Sequence, residues 1–228
     1  MKQQTVVLAA PLWTVFVVCT VLLLLLSNLY GVATTAFVRY EYGKPGFPSA
    51  DSYDDAERLS LAEATVHYMR SSEDEAYLSN LQSQGLYVYN AREVPHLADA
   101  KRVMDGAFWL HGISALLWVA VAAYAWRQPN QRATVLRSIS RGCLICFVAL
   151  AGIGILAYAN FDLFFVAFHR IFFKGDTWLF SYSDTLIQLF PVQFWIDATW
   201  ALALLSLAEC VVLGSLARGW ARRLEQAG

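Results

Sequence analysis

The residues with most chemical promise are two histidines, His96 and His169, because imidazole is the side chain that takes and gives protons near neutral pH. A metal is the other use of such a pair. No His-x-x-x-His spacing occurs, so a zinc site would have to be assembled from His96, His169 and separate carboxylates such as Asp99 or Asp184. A covalent acyl-enzyme route lacks an obvious nucleophile: there is no Gly-x-Ser-x-Gly, and Cys19, Cys143, Cys146 and Cys210 all fall in or beside apolar segments. Any acyl chemistry should therefore transfer directly. Ionisable groups inside apolar segments, namely His111, Asp162, Asp197 and Glu209, each require a partner or a polar cavity. For Glu209, near the middle of its segment, a protonated carboxyl bonded to a neighbouring helix is the simplest expectation.

The elements that must position these residues are set by lipid. Hydrophobic residues make up 57% of the 228-residue chain, more than one globular core uses. Crossing about 30 Å of hydrocarbon takes about 20 apolar residues in a helix. Four segments qualify, at roughly 9 to 31, 107 to 126, 142 to 166 and 192 to 216. The first far exceeds an ordinary signal-peptide core and reads as a retained anchor. Arg127, Arg132, Arg137 and Arg141 fill one short connection, Arg218, Arg222 and Arg223 follow the last span, and Lys2 precedes the first. Basic short loops stay inside, and these three clusters share one side only if the number of spans is even. Cys143 and Cys146 form a Cys-x-x-Cys, but on this orientation they lie at a cytoplasmic helix end and read as small buried residues.

The expected fold class is an all-α membrane protein of four transmembrane helices, with a small, mainly helical extracytoplasmic domain between helices one and two. In order the chain divides into 1–37 (N-terminus and first span), 38–105 (extracytoplasmic domain), 106–126 (second span), 127–141 (basic cytoplasmic loop), 142–166 (third span), 167–191 (outer loop), 192–217 (fourth span) and 218–228 (cytoplasmic tail). Residues 38–105 hold twelve of the eighteen carboxylates, so the net charge of −1 conceals a strong asymmetry. Within them, Leu59, Ala62, Val66 and Met69 recur at helical spacing, 73–83 reads as a second short helix, 86–89 as briefly extended, and Pro95 suits the first turn of a helix. His169 lies about 42 Å along a straight helix from Arg141, which puts it at the outer headgroup level. His96 reaches that level if its helix lies along the membrane surface and bends at Asp105-Gly106. A straight continuation would hold it too far away to cooperate.

Two stretches carry a family resemblance. These are Asn90-Ala91-Arg92-Glu93-Val94-Pro95-His96-Leu97-Ala98-Asp99-Ala100-Lys101, and Phe168-His169-Arg170-Ile171-Phe172-Phe173 followed by Trp178, Phe180, Asp184, Leu186-Ile187 and Phe190-Pro191. Together with the turn-rich segment from Tyr40 to Pro48 and the four-helix layout, they resemble the bacterial lipoprotein intramolecular transacylases, the Lit family. The resemblance implies movement of the sn-2 acyl chain of a diacylglyceryl lipoprotein to the α-amine of its own N-terminal cysteine. It implies histidine acid–base chemistry shared by His96 and His169, no cofactor, membrane lipid and a lipoprotein as partners, and no nucleic acid. Arg92 and Arg170 become candidates for holding the carbonyl or its oxyanion, Asp184 for orienting a histidine, and Trp178 for the substrate site or an interfacial belt. The competing readings are a metal-dependent membrane hydrolase using the same histidines and a noncatalytic membrane partner whose outer domain binds another protein.

Overall fold

A computed structural model describes residues 10–226; Lys2 lies outside the described residues. The elements are α1 (Ala10–Leu26), α2 (Leu29–Val32), α3 (Thr35–Tyr42), α4 (Asp55–Arg70), α5 (Glu75–Ser79), the strands β1 (Gln82–Ser83) and β2 (Leu86–Tyr87), α6 (Glu93–Trp126), α7 (Arg132–Ala159), α8 (Phe161–Phe172), α9 (Thr185–Leu189) and α10 (Val192–Gln226). Four helical stretches are long and apolar enough to cross a membrane: Ala10–Val32, Glu93–Trp126, Pro129–Ala159 and Val192–Gln226. The chain is a helical, polytopic membrane protein.

Several boundaries differ from the sequence reading for local physical reasons. The basic connection is short, because α7 already begins at Arg132 and α10 runs on through Arg218, Arg222 and Arg223; arginine is a good helix former and its charge is no obstacle beyond the apolar run. The expected bend at Asp105-Gly106 is absent, and α6 is one uninterrupted helix. One glycine costs a helix only about 1 kcal/mol, which a long apolar neighbourhood outweighs. The interruption falls in the third span instead. There Asn160 leaves the helical conformation and its side chain accepts from Leu163 N at 2.9 Å, capping α8. An asparagine within an apolar run stops one helix and starts the next.

The described residues form two compact units, the first from 10–28, 107–155 and 202–226 and the second from 29–106 and 156–201. In the first, Phe16 packs with Ala125 and Val135, and Leu24 with Cys143, Cys146 and Cys210. Polar groups within it pair across helices, as hydrocarbon requires. Trp118 Nε1 donates to Thr20 Oγ1 at 3.0 Å, Ser27 bonds to His111 at 3.1 Å, and Asn28 Nδ2 donates to Ser206 at 3.0 Å and to Glu209 Oε2 at 3.1 Å. Glu209 thus has the interhelical partner expected of it.

The second unit has a core of Val38, Leu61, Ala62, Tyr68, Leu78, Val88, Tyr89, Val94, Leu97, Leu186, Leu189, Phe190 and Phe194. Its α4 starts at the cap Asp54, which accepts from Glu57 N. The buried face of α4 is Arg58, Leu61, Ala62, Thr65 and Tyr68, while Leu59, Val66 and Met69 lie at its edge. The stripe is rotated by about one residue from the apolar count because Arg58 and Thr65 are inside, and Thr65 is satisfied there by Leu61 O at 2.8 Å and Tyr89 Oη at 2.5 Å. Gln84 and Gly85 both have positive φ, 52° and 80°, and make the two-residue turn that pairs Gln82 with Tyr87 and Ser83 with Leu86.

In the first unit α7 approaches α1 closely at Gly142, where an added Cβ would lie 2.7 Å from Thr20 Cβ and 3.2 Å from Val17 O. Gly142→Ala should therefore destabilise the protein by about 1–3 kcal/mol. Gly112→Ala, where a Cβ meets nothing within 4 Å, should not; thermal unfolding in detergent compares the two.

Candidate functional site

His96 is held by the helix start one turn before it. Asn90 caps α6, its Oδ1 accepting from Arg92 N at 2.9 Å and Glu93 N at 3.1 Å, while Glu93 Oε2 accepts from Asn90 N at 2.8 Å. This reciprocal capping box leaves Glu93 Oε1 free to accept from Leu186 N at 2.6 Å, tying the start of α6 to α9. Glu93 is only 1% exposed. Thr185 adds a second tie, donating to Val88 O at 2.6 Å.

His169 comes from the last turn of α8, whose other face presents exposed Leu163, Phe168, Ile171 and Phe172. The helix is therefore amphipathic in an unusual sense, with apolar side chains outward and an imidazole inward. His169 Nδ1 lies 2.7 Å from Phe165 O. A carbonyl only accepts, so Nδ1 carries the proton and the neutral ring keeps its lone pair on Nε2.

The two imidazoles stack with ring centroids 6.2 Å apart and planes inclined by 21°. Both are buried, at 7% and 9% exposure. Phe173 and Phe180 lie 4.8 and 5.2 Å from the His96 ring; Phe165 and Trp178 lie 4.0 and 4.8 Å from that of His169. This box pushes the His169 pKa below its ordinary value by desolvation, only partly opposed by the Phe165 carbonyl. The Nδ1 of His96 is buried and has no hydrogen-bond partner among the described residues. An unpartnered ring nitrogen on an imidazole stacked beside a second, neutral one is an arrangement suited to moving a proton.

The other residues singled out in the sequence divide around this pair. Trp178 is part of the box, fixed by its Nε1–H donating to Gly175 O at 3.0 Å. Arg92 is exposed and donates to Leu179 O at 2.6 Å, with its guanidinium 5.9 Å from the Phe180 ring. Arg170 is exposed and makes no hydrogen bond or ion pair among the described residues. Asp184 does not orient a histidine: Oδ1 accepts from Asn90 Nδ2 at 3.0 Å and Oδ2 from Ser181 N at 2.7 Å, so the carboxylate braces the loop before α6 instead. Asp99 is paired with Arg102. Among the described residues no three of His, Cys, Asp and Glu converge in a group able to hold a metal.

Phe165, Phe173, Phe180 and Glu93 are the site residues that sequence reasoning passed over. Asn90-x-x-Glu93 was readable as a capping box before the helix of His96. Replacing Glu93 by Ala leaves Leu186 N without its acceptor in a buried setting, at about 1–3 kcal/mol, and removes the acceptor of the more exposed Asn90 N. Glu93→Ala should lower the unfolding midpoint and accelerate amide exchange at Leu186, measured by hydrogen exchange with mass spectrometry, whereas Asp99→Ala should change neither appreciably.

Known proteins share this sequence and architecture. The family model for the lipoprotein intramolecular transacylase Lit matches residues 13–195. An uncharacterized protein of Aquifex aeolicus (strain VF5) is 30% identical over 172 residues, covering 75% of this chain and 76% of that protein. The solved structure of the membrane integral lipoprotein intramolecular transacylase Lit from Bacillus cereus superposes with a TM-score of 0.66 at 20% identity, over 96% of this chain and 97% of that one. A structure of the same protein with one histidine replaced by alanine gives 0.63 at 17% identity, over 96% and 95%. With four-fifths of its length inside the family model, this chain belongs to the lipoprotein intramolecular transacylase family.

Proposed function

We propose that the protein is an O-to-N acyltransferase that moves the sn-2 acyl chain of a diacylglyceryl lipoprotein to the α-amine of the same molecule's N-terminal cysteine, leaving a lyso-form lipoprotein. The observation that carries this reading is the buried His96–His169 pair, 6.2 Å between ring centroids. Family membership supplies the reaction class.

The chemistry asks little else of the protein. Ester and amine belong to one substrate molecule, so holding them in register supplies much of the rate advantage. The unit bearing both histidines contains no cysteine, which suits direct transfer. His169 Nε2, neutral and with its tautomer fixed by Phe165, takes a proton from nitrogen as the C–N bond forms. That proton passes to His96, which gives it to the glyceryl oxygen as the C–O bond breaks, so both rings start and end neutral. Starting from the free amine, amide and alcohol form without net proton change. Arg92, exposed, bonded to Leu179 O and beside the Phe180 ring, is the candidate for the carbonyl oxygen; Arg170, exposed next to His169, serves the lipid phosphates. Trp178 and the phenylalanines exclude water from the imidazoles.

Orientation follows from the arginines. Basic short connections favour the cytoplasmic side, so Arg127, Arg132, Arg137 and Arg141, with Arg218, Arg222 and Arg223, support cytoplasmic termini and histidines at the outer leaflet. The apolar outer face of α8 suits lipid contact at that level.

With purified protein and a synthetic diacylated lipopeptide, the product should have unchanged mass and a fragmentation pattern reporting an N-acyl cysteine. His169→Asn and His96→Asn should each reduce kcat by about 10²–10⁴-fold with unfolding midpoints near that of the parent. Because burial holds His169 neutral at pH 7, the acid limb of kcat/KM should follow the substrate ammonium, near about 8 for an α-amine, rather than a histidine. Full activity in His169→Asn overturns the mechanism.

A further inference from the structure

Arg58 is a buried cation that the histidine pair does not use. It is 3% exposed, on the inner face of α4. Its Nε donates to Gln188 O at 2.8 Å and its Nη1 to Pro48 O at 2.5 Å. The guanidinium carbon lies 4.6 Å from the ring centroid of Tyr42 and 5.2 Å from that of Phe47. Two carbonyls and two ring faces hold the charge in place, yet no carboxylate pairs with it among the described residues, and Nη2 is buried without a hydrogen-bond partner. Uncompensated buried charge is costly, and a buried guanidinium normally finds an anion.

Arg58 also lines a cavity of about 430 Å³, with Arg39, Tyr42, Phe47, Ser49 and Asp55 among its walls. Arg39 is answered by Glu63 at 2.5 Å. Asp55 adds one negative charge to the wall without reaching Arg58. The space therefore offers one unanswered positive charge, a nearby carboxylate and two aromatic faces. A dianionic phosphate would meet repulsion from Asp55 with too little positive charge to offset it. One carboxylate on a short methylene stem matches: it would answer the unpaired guanidinium charge while its methylenes rest against Phe47. The volume, at the lower end for a ligand site, takes one side chain and a little backbone rather than a two-chain lipid.

We propose that this cavity binds an acidic side chain of a peptide, an anchoring site separate from the acyl-transfer chemistry. That the peptide is the polypeptide part of the lipoprotein substrate rests on the transacylase reading; the binding of a carboxylate does not.

The test uses the full chain in detergent at low ionic strength, with acetyl-Ala-Glu-Ala-amide and acetyl-Ala-Gln-Ala-amide as probes and affinity measured by NMR saturation transfer. The Glu peptide should bind at least about tenfold more tightly than the Gln peptide, a preference lost in 0.5 M salt. Asp55→Asn, which removes the repelling carboxylate from an exposed helix start, should tighten the Glu peptide by about three- to tenfold and leave the Gln peptide unchanged. Arg58→Lys, which keeps the charge but not the planar fork, should abolish the preference. Equal affinity for the two peptides, or no response to Asp55→Asn, overturns the proposal. So does stronger competition by inorganic phosphate or by dihexanoyl phosphatidylglycerol, which would reassign the cavity to a phosphate. Acyl transfer by parent and Asp55→Asn proteins is followed in parallel: its absence with peptide binding intact counts against the transacylase reading and leaves the carboxylate site standing.

Discussion

A single buried carboxylate organises the histidine pair. Glu93 has no cation beside it; its two oxygens take backbone N–H groups from Asn90 and Leu186, at 2.8 and 2.6 Å. Charge-assisted bonds of this kind are about twice as strong as neutral ones. The carboxylate fixes where α6 begins and which part of α9 lies against it. His96, three residues further along α6, inherits that position. Asp184 braces the same loop from the other direction through Asn90 and Ser181, so both acids serve geometry.

The histidine box reconciles burial with function. An imidazole placed among phenylalanines loses its charged form, which costs nothing in stability at neutral pH and leaves a base ready for use. For His169 the fixed Nδ1–H to the Phe165 carbonyl also settles which nitrogen is available. The price is acid sensitivity: a histidine held neutral in the fold but charged when unfolded makes stability fall as pH drops below its unperturbed value. Amphipathic α8 supplies this ring from a helix whose outward face is apolar, an arrangement that makes sense beside lipid and would be a liability in water.

Much of this was legible in the sequence because hydrocarbon imposes a coarse ruler. Four apolar runs and the bias of Arg over acid in short loops needed only counting. Depth made His96 and His169 neighbours only on condition of a bend at Asp105-Gly106; α6 runs unbroken and the rings still lie 6.2 Å apart, so the exclusion of an unbroken helix was wrong. Sequence reasoning put a bend at Gly106 on the helix of His96, whereas the chain breaks at Asn160 on the way to His169. Glycine merely permits a bend, while asparagine, with an oxygen that caps a new helix, stabilises one. The inner face of α4 was misread by one position because Arg58 and Thr65 are polar by type and buried in fact. A hydrophobicity count cannot see the two carbonyls and two aromatic rings that receive Arg58, since they come from segments far away in sequence.

The proposed direct transfer is tested by following where one labelled acyl chain goes. Two diacyl lipopeptides of different peptide mass, one with a deuterated sn-2 chain, are mixed and given together to the purified protein. An intramolecular shift assisted by His96 and His169 yields deuterated N-acyl product on its original peptide alone, with no label on the protein at any time. Deuterium appearing on the second peptide, or as a protein-bound acyl group, would contradict it.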